Sequence, residues 1–186
     1  AGSGPTVVAG RDLGDIEGPV LFLTGGGNGS KLLNEWLRDH LPALQERFFV
    51  VHQVGKAFAE EYAALNGERY ISTAFVDDMI GVMRRADVVI SRAGAGTVQE
   101  LMALGKRSLF VPLAIAQRNE QYHNAMEAHE RLGSIVVTED ALADADLLAL
   151  AEQLVDAQQV EATPMPDGTQ LLADRIEAVV RGPSGA

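Results

Sequence analysis

Short, wholly apolar runs alternate along this chain with longer segments whose apolar residues recur at spacings of three and four. A run without polar alternation must be covered on both faces, and a strand of that kind belongs in a parallel sheet wrapped by crossover helices. The runs are Pro19–Thr24, Phe48–His52, Tyr70–Phe75, Asp87–Ser91, Ser108–Pro112 and Ser134–Val137. Between them, Ser30 is placed to cap a helix bearing Leu32, Leu33, Trp36, Leu37 and Leu41, and a second helix fits Phe58–Leu65. Asp77 is placed to cap a third helix through Ile80, Val82 and Met83, and a fourth carries Val98, Leu101, Met102 and Leu104. Further helices are expected over about Asn119–Leu132, Asp144–Asp156 and Gln170–Val180.

At 186 residues the chain has room for one domain with a full core and is tight for two. The expected fold is α/β: a Rossmann-like, three-layer α/β/α domain with a parallel sheet of about six strands, over residues 19–181. Residues 1–18, rich in glycine and without sustained periodicity, read as a linker or an edge segment, and 182–186 as a frayed tail. With 26 acidic against 15 basic side chains the net charge is -11, which repels phosphate backbones, so nucleic acid is not an expected partner. Cysteine is absent, and His40, His52, His123 and His129 lack the paired helical spacing of zinc enzymes, so no metal and no bound cofactor are expected. No apolar run approaches the roughly 20 residues needed to cross a bilayer, and no signal-peptide order opens the chain, so the expected location is cytoplasmic.

Ligands of such sheets bind outside the carboxyl ends of the strands, and three motifs fall there. Gly25-Gly26-Gly27-Asn28-Gly29-Ser30 joins a strand to a helix, where backbone N–H groups and the helix terminus suit a phosphate; the alternative is a tight turn that needs glycine for its own geometry. A dinucleotide fingerprint is incomplete, because its third glycine is Ser30 and the next strand ends in His52-Gln53 with no acid. No lysine after a glycine is followed by Ser or Thr, which argues against a Walker loop. The second turn, Ala93-Gly94-Ala95-Gly96-Thr97, leads to Glu100, whose carboxylate suits a ribose diol, or else closes a capping box with Thr97. The third, Gln117 to Asn124, gathers neutral amide groups suited to sugar hydroxyls, or is a solvated helix start.

Taken in order, Gly25–Ser30, His52–Lys56, Phe75–Met79, Asp87–Glu100 and Phe110–Pro112 with Glu120–Asn124 resemble the C-terminal, donor-binding half of glycosyltransferase family 28. Within that family they are closest to the N-acetylglucosaminyltransferases that complete lipid II in peptidoglycan synthesis. The resemblance implies the C-terminal half of a GT-B glycosyltransferase, inverting and metal-independent, with UDP-N-acetylglucosamine as donor. It assigns the uracil to the backbone around Phe75 and Val76, and the ribose to Glu100. The diphosphate falls to Gly26, Gly27, Asn28, Gly29 and Ser30 with Gly94, Ala95, Gly96 and Thr97, and the sugar to Glu120, Gln121 and Asn124. The chain has Gly27 where the lipid II enzymes usually carry a hydroxyl, and Glu120-Gln121 where they usually carry two glutamines, a pair that also resembles glucose-type donor sites.

The resemblance further implies an N-terminal acceptor domain that holds the catalytic base and faces the membrane, and nothing in residues 1–18 could replace it. The expectation is half an enzyme, idle by itself. It is either a domain of a longer protein or the donor subunit of a split transferase with a membrane-bound partner, reaching the lipid-linked acceptor at the inner face of the membrane. A UDP-sugar 2-epimerase and a non-catalytic nucleotide-sugar sensor are the other classes compatible with these motifs.

Overall fold

The structure is a computed structural model that describes residues 4–114 and 119–156. Two short strands, β1 (Val7–Val8) and β2 (Arg11–Asp12), form an antiparallel ribbon. Six parallel strands follow: β3 (Val20–Thr24), β4 (Phe49–Gln53), β5 (Tyr70–Thr73), β6 (Val88–Ser91), β7 (Leu109–Phe110) and β8 (Ile135–Val136). Their order across the sheet is β5-β4-β3-β6-β7-β8. The helices are α1 (Lys31–Arg47), α2 (Ala59–Ala63), α3 (Met79–Arg85), α4 (Ala95–Ala103), α5 (Glu120–Leu132) and α6 (Leu147–Asp156).

Side chains alternate across each strand, and the two faces they define carry two separate cores. Val20 and Phe22 of β3, Val51 of β4, Val89 of β6 and Phe110 of β7 pack against α3, α4 and α5 through Val82, Met83, Leu101, Met102, Ala125 and Leu132. Leu21 and Leu23, Val50, Ile90 and Leu109 pack against α1 and α6 through Leu33, Trp36, Leu37, Leu44, Leu147 and Ala151. All five residues of β3 and of β4 are buried, which is why the apolar residues of these strands run without polar alternation until Thr24, His52 and Gln53 at their carboxyl ends. Burying a side chain such as Phe22 or Leu37 contributes about 2 kcal/mol. Strand order reverses between β3 and β6, so the chain leaves neighbouring strands in opposite directions and opens a crevice at their carboxyl ends.

Several local expectations are corrected. The cap of α3 is Asp78, whose carboxylate accepts from the Gly81 N–H at 2.9 Å, rather than Asp77. Helix α4 starts at Ala95 on Gly94, so Thr97 lies inside the first turn and no capping box joins it to Glu100. The second helix is shorter than Phe58–Leu65, being a 3-10 turn over Lys56–Phe58 and α2. In place of one helix over Asp144–Asp156, a 3-10 segment spans Glu139–Asp144 ahead of α6.

The segment expected as a linker or edge is, over 6–16, the β1–β2 ribbon and a 3-10 turn, with Val8 and Leu13 buried in the first core. Arg85 holds it by donating to the carbonyls of Leu13 (3.0 Å), Ile16 (2.8 Å) and Gly18 (3.2 Å), and Arg11 donates to those of Glu68 and Gly67. The apolar residues that dock it stand too far apart for periodicity to register. The expected helix Gln170–Val180, the boundary at 181 and the tail lie outside the described residues.

Candidate functional site

At the carboxyl end of β3 the chain turns through Gly25–Gly29 into α1, closed by the Gly29 N–H on the Gly26 carbonyl at 3.0 Å. Glycine is required here for two reasons, separately or together. A Cβ on Gly25 would collide with Ser30. Gly29, at φ +75, would drive one into the Val54 carbonyl, while Gly55, at φ +87, presses back on the Asn28 carbonyl. Gly26 has φ +87 in open space. At Gly27 neither reason applies, since its φ is ordinary and a Cβ would meet nothing within 4 Å. The same holds for Gly94, the residue on which α4 starts, and for Gly96 in its first turn. Three positions thus carry glycine without any demand from the fold, at the N-termini of two helices of 17 and 9 residues.

Those termini carry partial positive charge and unpaired backbone N–H groups, the ordinary setting for an oxyanion. Ser30 caps α1, its Oγ accepting from the Leu33 N–H at 3.4 Å, whereas no side chain caps α4. Glu100 is exposed one turn into α4 and makes no side-chain hydrogen bond among the described residues. The capping box, one of the two readings the sequence offered for this carboxylate, does not form.

Gln53, buried at the end of β4, ties this rim together. Its Nε2 donates to Thr24 Oγ1 at 3.0 Å and to the Gly26 carbonyl at 3.1 Å, and its Oε1 accepts from the Val76 N–H at 2.8 Å. The Phe75 carbonyl meanwhile accepts from Thr73 Oγ1 at 2.9 Å. The Val76 N–H is therefore spent within the protein, and Phe75 offers its ring, 60% exposed.

On the other side of the crevice, Gln121 Oε1 accepts from the Leu113 N–H at 3.0 Å, which turns its amide N–H groups outward. Asn124 Nδ2 donates to the Ala93 carbonyl at 3.0 Å, leaving its Oδ1 as an acceptor. Two amides on one face of α5 thus present a donor and an acceptor, with exposed Glu120 a turn away. Asn119, in the left-handed region at φ 56, ends the preceding loop.

Two groups escaped the sequence reading. Arg92, largely buried between β6 and the second turn, donates to Ser30 Oγ at 3.0 Å and the Val111 carbonyl at 3.2 Å, and pairs with Glu139 at 2.7 Å. A charge wedged between a buried strand and a glycine turn was the available signal. Gln53 lies in the His52–Lys56 motif, but the sequence assigns it no role. Among the described residues no three His, Cys, Asp or Glu side chains gather as a metal-holding group, and no helix is long and apolar enough to cross a membrane.

Behind the rim, His52 is fully buried. Asn34 Nδ2 donates to the Val54 carbonyl at 3.0 Å, so its Oδ1 accepts a hydrogen bond from the His52 Nε2–H at 2.9 Å, and His52 Nδ1 accepts from the Tyr70 hydroxyl at 3.0 Å. Burial lowers the His52 pKa to about 3 and raises that of Tyr70, so the ring stays neutral and serves as structure.

An open parallel sheet whose strand order reverses beside two glycine turns and two helix N-termini defines a Rossmann-like α/β domain. The profile of the glycosyltransferase family 28 C-terminal domain matches residues 20–177, and the chain belongs to that family. It is 34% identical, over 91% of its length, to the UDP-N-acetylglucosamine:N-acetylmuramyl-(pentapeptide) pyrophosphoryl-undecaprenol N-acetylglucosamine transferase of Cronobacter sakazakii, of which it covers 50%. To the enzyme of the same name in Aquifex aeolicus it is 38% identical over 72% of its length, covering 39% of that enzyme. Among solved structures, Acinetobacter baumannii MurG superimposes with a TM-score of 0.67 at 28% identity, over 89% of this chain and 52% of that one. The chain spans about half the length of the curated relatives it matches.

Proposed function

We propose that this chain binds UDP-N-acetylglucosamine across the carboxyl ends of β3 and β6 and presents its anomeric carbon to an acceptor hydroxyl on a lipid-linked substrate. The observation that carries the reading is the set of Gly27, Gly94 and Gly96, bare without structural need at two converging helix N-termini. In this reading the diphosphate lies over Gly26–Ser30 and Gly94–Thr97, the ribose diol on Glu100, and the uracil beside Phe75 and Val76. Glu120, Gln121 and Asn124 read the sugar hydroxyls.

Transfer forms a bond from the acceptor oxygen to the anomeric carbon as the bond from that carbon to the phosphate oxygen breaks, with UDP taking the electron pair and the configuration inverting. The α1 and α4 termini stabilise the charge that develops on the leaving diphosphate, so the reaction needs no metal and no bound cofactor. The base that takes the acceptor proton belongs to an acceptor-binding half, in the same polypeptide or in a membrane-bound partner subunit, and the assembled enzyme works at the cytoplasmic face of the membrane. The relatives' double length and their lipid-linked acceptor support this division.

Calorimetric titration of the chain with UDP, UDP-N-acetylglucosamine, UDP-glucose, ADP and NAD tests the reading. Saturable binding of the uridine ligands, with UDP-N-acetylglucosamine ahead of UDP-glucose, is the expected result. Titration by ADP or NAD in place of UDP would overturn it.

A further inference from the structure

Resting on the reading of Ser30 as a diphosphate contact, we infer that Arg92 is a positioning residue that fixes the Ser30 hydroxyl as a hydrogen-bond donor pointing into the crevice. A hydroxyl has two lone pairs and one proton. At Ser30 the lone pairs are taken by the Leu33 N–H at 3.4 Å and by Arg92 Nη2 at 3.0 Å. What remains is the proton, so this oxygen can only donate, and a phosphate oxygen, which only accepts, is the partner it suits. A cap with one lone pair free could rotate and accept as well; the guanidinium removes that choice before any ligand arrives. The adjacent positive charge also strengthens the hydroxyl as a donor.

Arg92 is itself held in place. Its Nη1 meets Glu139 at 2.7 Å and the Val111 carbonyl at 3.2 Å, while Nη2 reaches Ser30. Only a planar, forked cation spans three partners in these directions, and a lysine would serve one at a time. The ion pair with Glu139 spends most of the Arg92 charge inside the protein, which favours an action through Ser30 over direct contact with the diphosphate. Ser30 thereby acquires the donor hydroxyl that Gly27 lacks in the same turn.

The test is a mutant cycle in a Glu139→Gln background, so that loss of Arg92 leaves no unpaired carboxylate beside the ligand. Ser30→Ala, Arg92→Met and the combination are titrated with UDP and with uridine, and thermal unfolding checks the fold. Each single change is expected to weaken UDP roughly tenfold, the value of a charge-assisted hydrogen bond, and to leave uridine unchanged. The combination should lose about the same tenfold, because both act through one hydroxyl. Losses that multiply, an unchanged UDP affinity in Arg92→Met, or an equal loss for uridine would overturn the inference. Should Arg92→Met not fold, Arg92→Lys replaces it: a loss like that of Ser30→Ala supports the assignment, and full UDP affinity overturns it because charge alone would then suffice. Failure of the Glu139→Gln and unsubstituted chains to bind UDP would remove the donor reading as well, which separates the two failures.

Discussion

Around the crevice glycine does two kinds of work, and substitution separates them. Gly29→Ala forces a Cβ onto the Val54 carbonyl at a positive φ, so a loss of about 3 kcal/mol or more in urea unfolding is expected. Gly27→Ala and Gly96→Ala meet no atom and strain no backbone; they should leave stability unchanged or raise it by up to about 1 kcal/mol, while UDP affinity falls. The reverse pattern, with Gly27→Ala unfolding the chain and sparing affinity, would return that turn to pure architecture. Glu100→Ala should cut UDP affinity by roughly tenfold without moving the melting temperature, since Glu100 caps nothing. In the sequence these glycines look alike and Thr97-Val-Gln-Glu100 satisfies the capping-box pattern; only the start of α4 at Ala95 and the neighbours of each missing Cβ distinguish the roles.

β4 shows what burial does to a polar residue in an otherwise apolar strand. His52 sits between Tyr70 and Asn34 with a pKa lowered to about 3, while an unfolded chain takes up the proton near 6.5. The native state therefore binds fewer protons between those values, and stability, complete above about pH 6.5, falls as the pH drops toward 3. The steepest slope is about 1.4 kcal/mol per pH unit. His52→Gln keeps a donor and an acceptor but cannot titrate. Urea unfolding between pH 7 and 4.5 should show a shallower acid limb for it than for the unsubstituted protein, and parallel limbs would assign the acid sensitivity elsewhere. That β4 is a buried strand was legible from Phe48–His52, because apolar runs report burial on both faces directly. Which acid caps α3 was not legible, because Asp77 and Asp78 have the same chemistry and the choice rests on where the Gly81 N–H falls.

The molecule as a whole has two ends with separate duties. Crevice, glycine turns and the amide face of α5 gather at the carboxyl ends of the strands, whereas the turn of the β1–β2 ribbon and the segment after it are fastened at their amino ends by Arg85 and Arg11. Arg85→Ala removes bonds to three carbonyls and should cost about 2–3 kcal/mol, speed amide exchange over residues 6–18 and leave UDP affinity alone; a matching drop in affinity would show that the two ends are coupled. The parallel sheet and the place of the crevice followed from the alternation of runs and glycine turns, whereas the strand order did not, because a buried apolar run does not name its neighbour. The fastening did not, because three carbonyl acceptors on an irregular segment leave no trace in side-chain pattern. The ribbon's position also decides how the protein is best handled on a biosensor: Thr6 Oγ1 donates to Asp78 Oδ2 at 3.4 Å where α3 begins, just past Phe75 and Val76, so a tether joined ahead of Val7 leaves the molecule on the crevice side and crowds the path of the flowing sample.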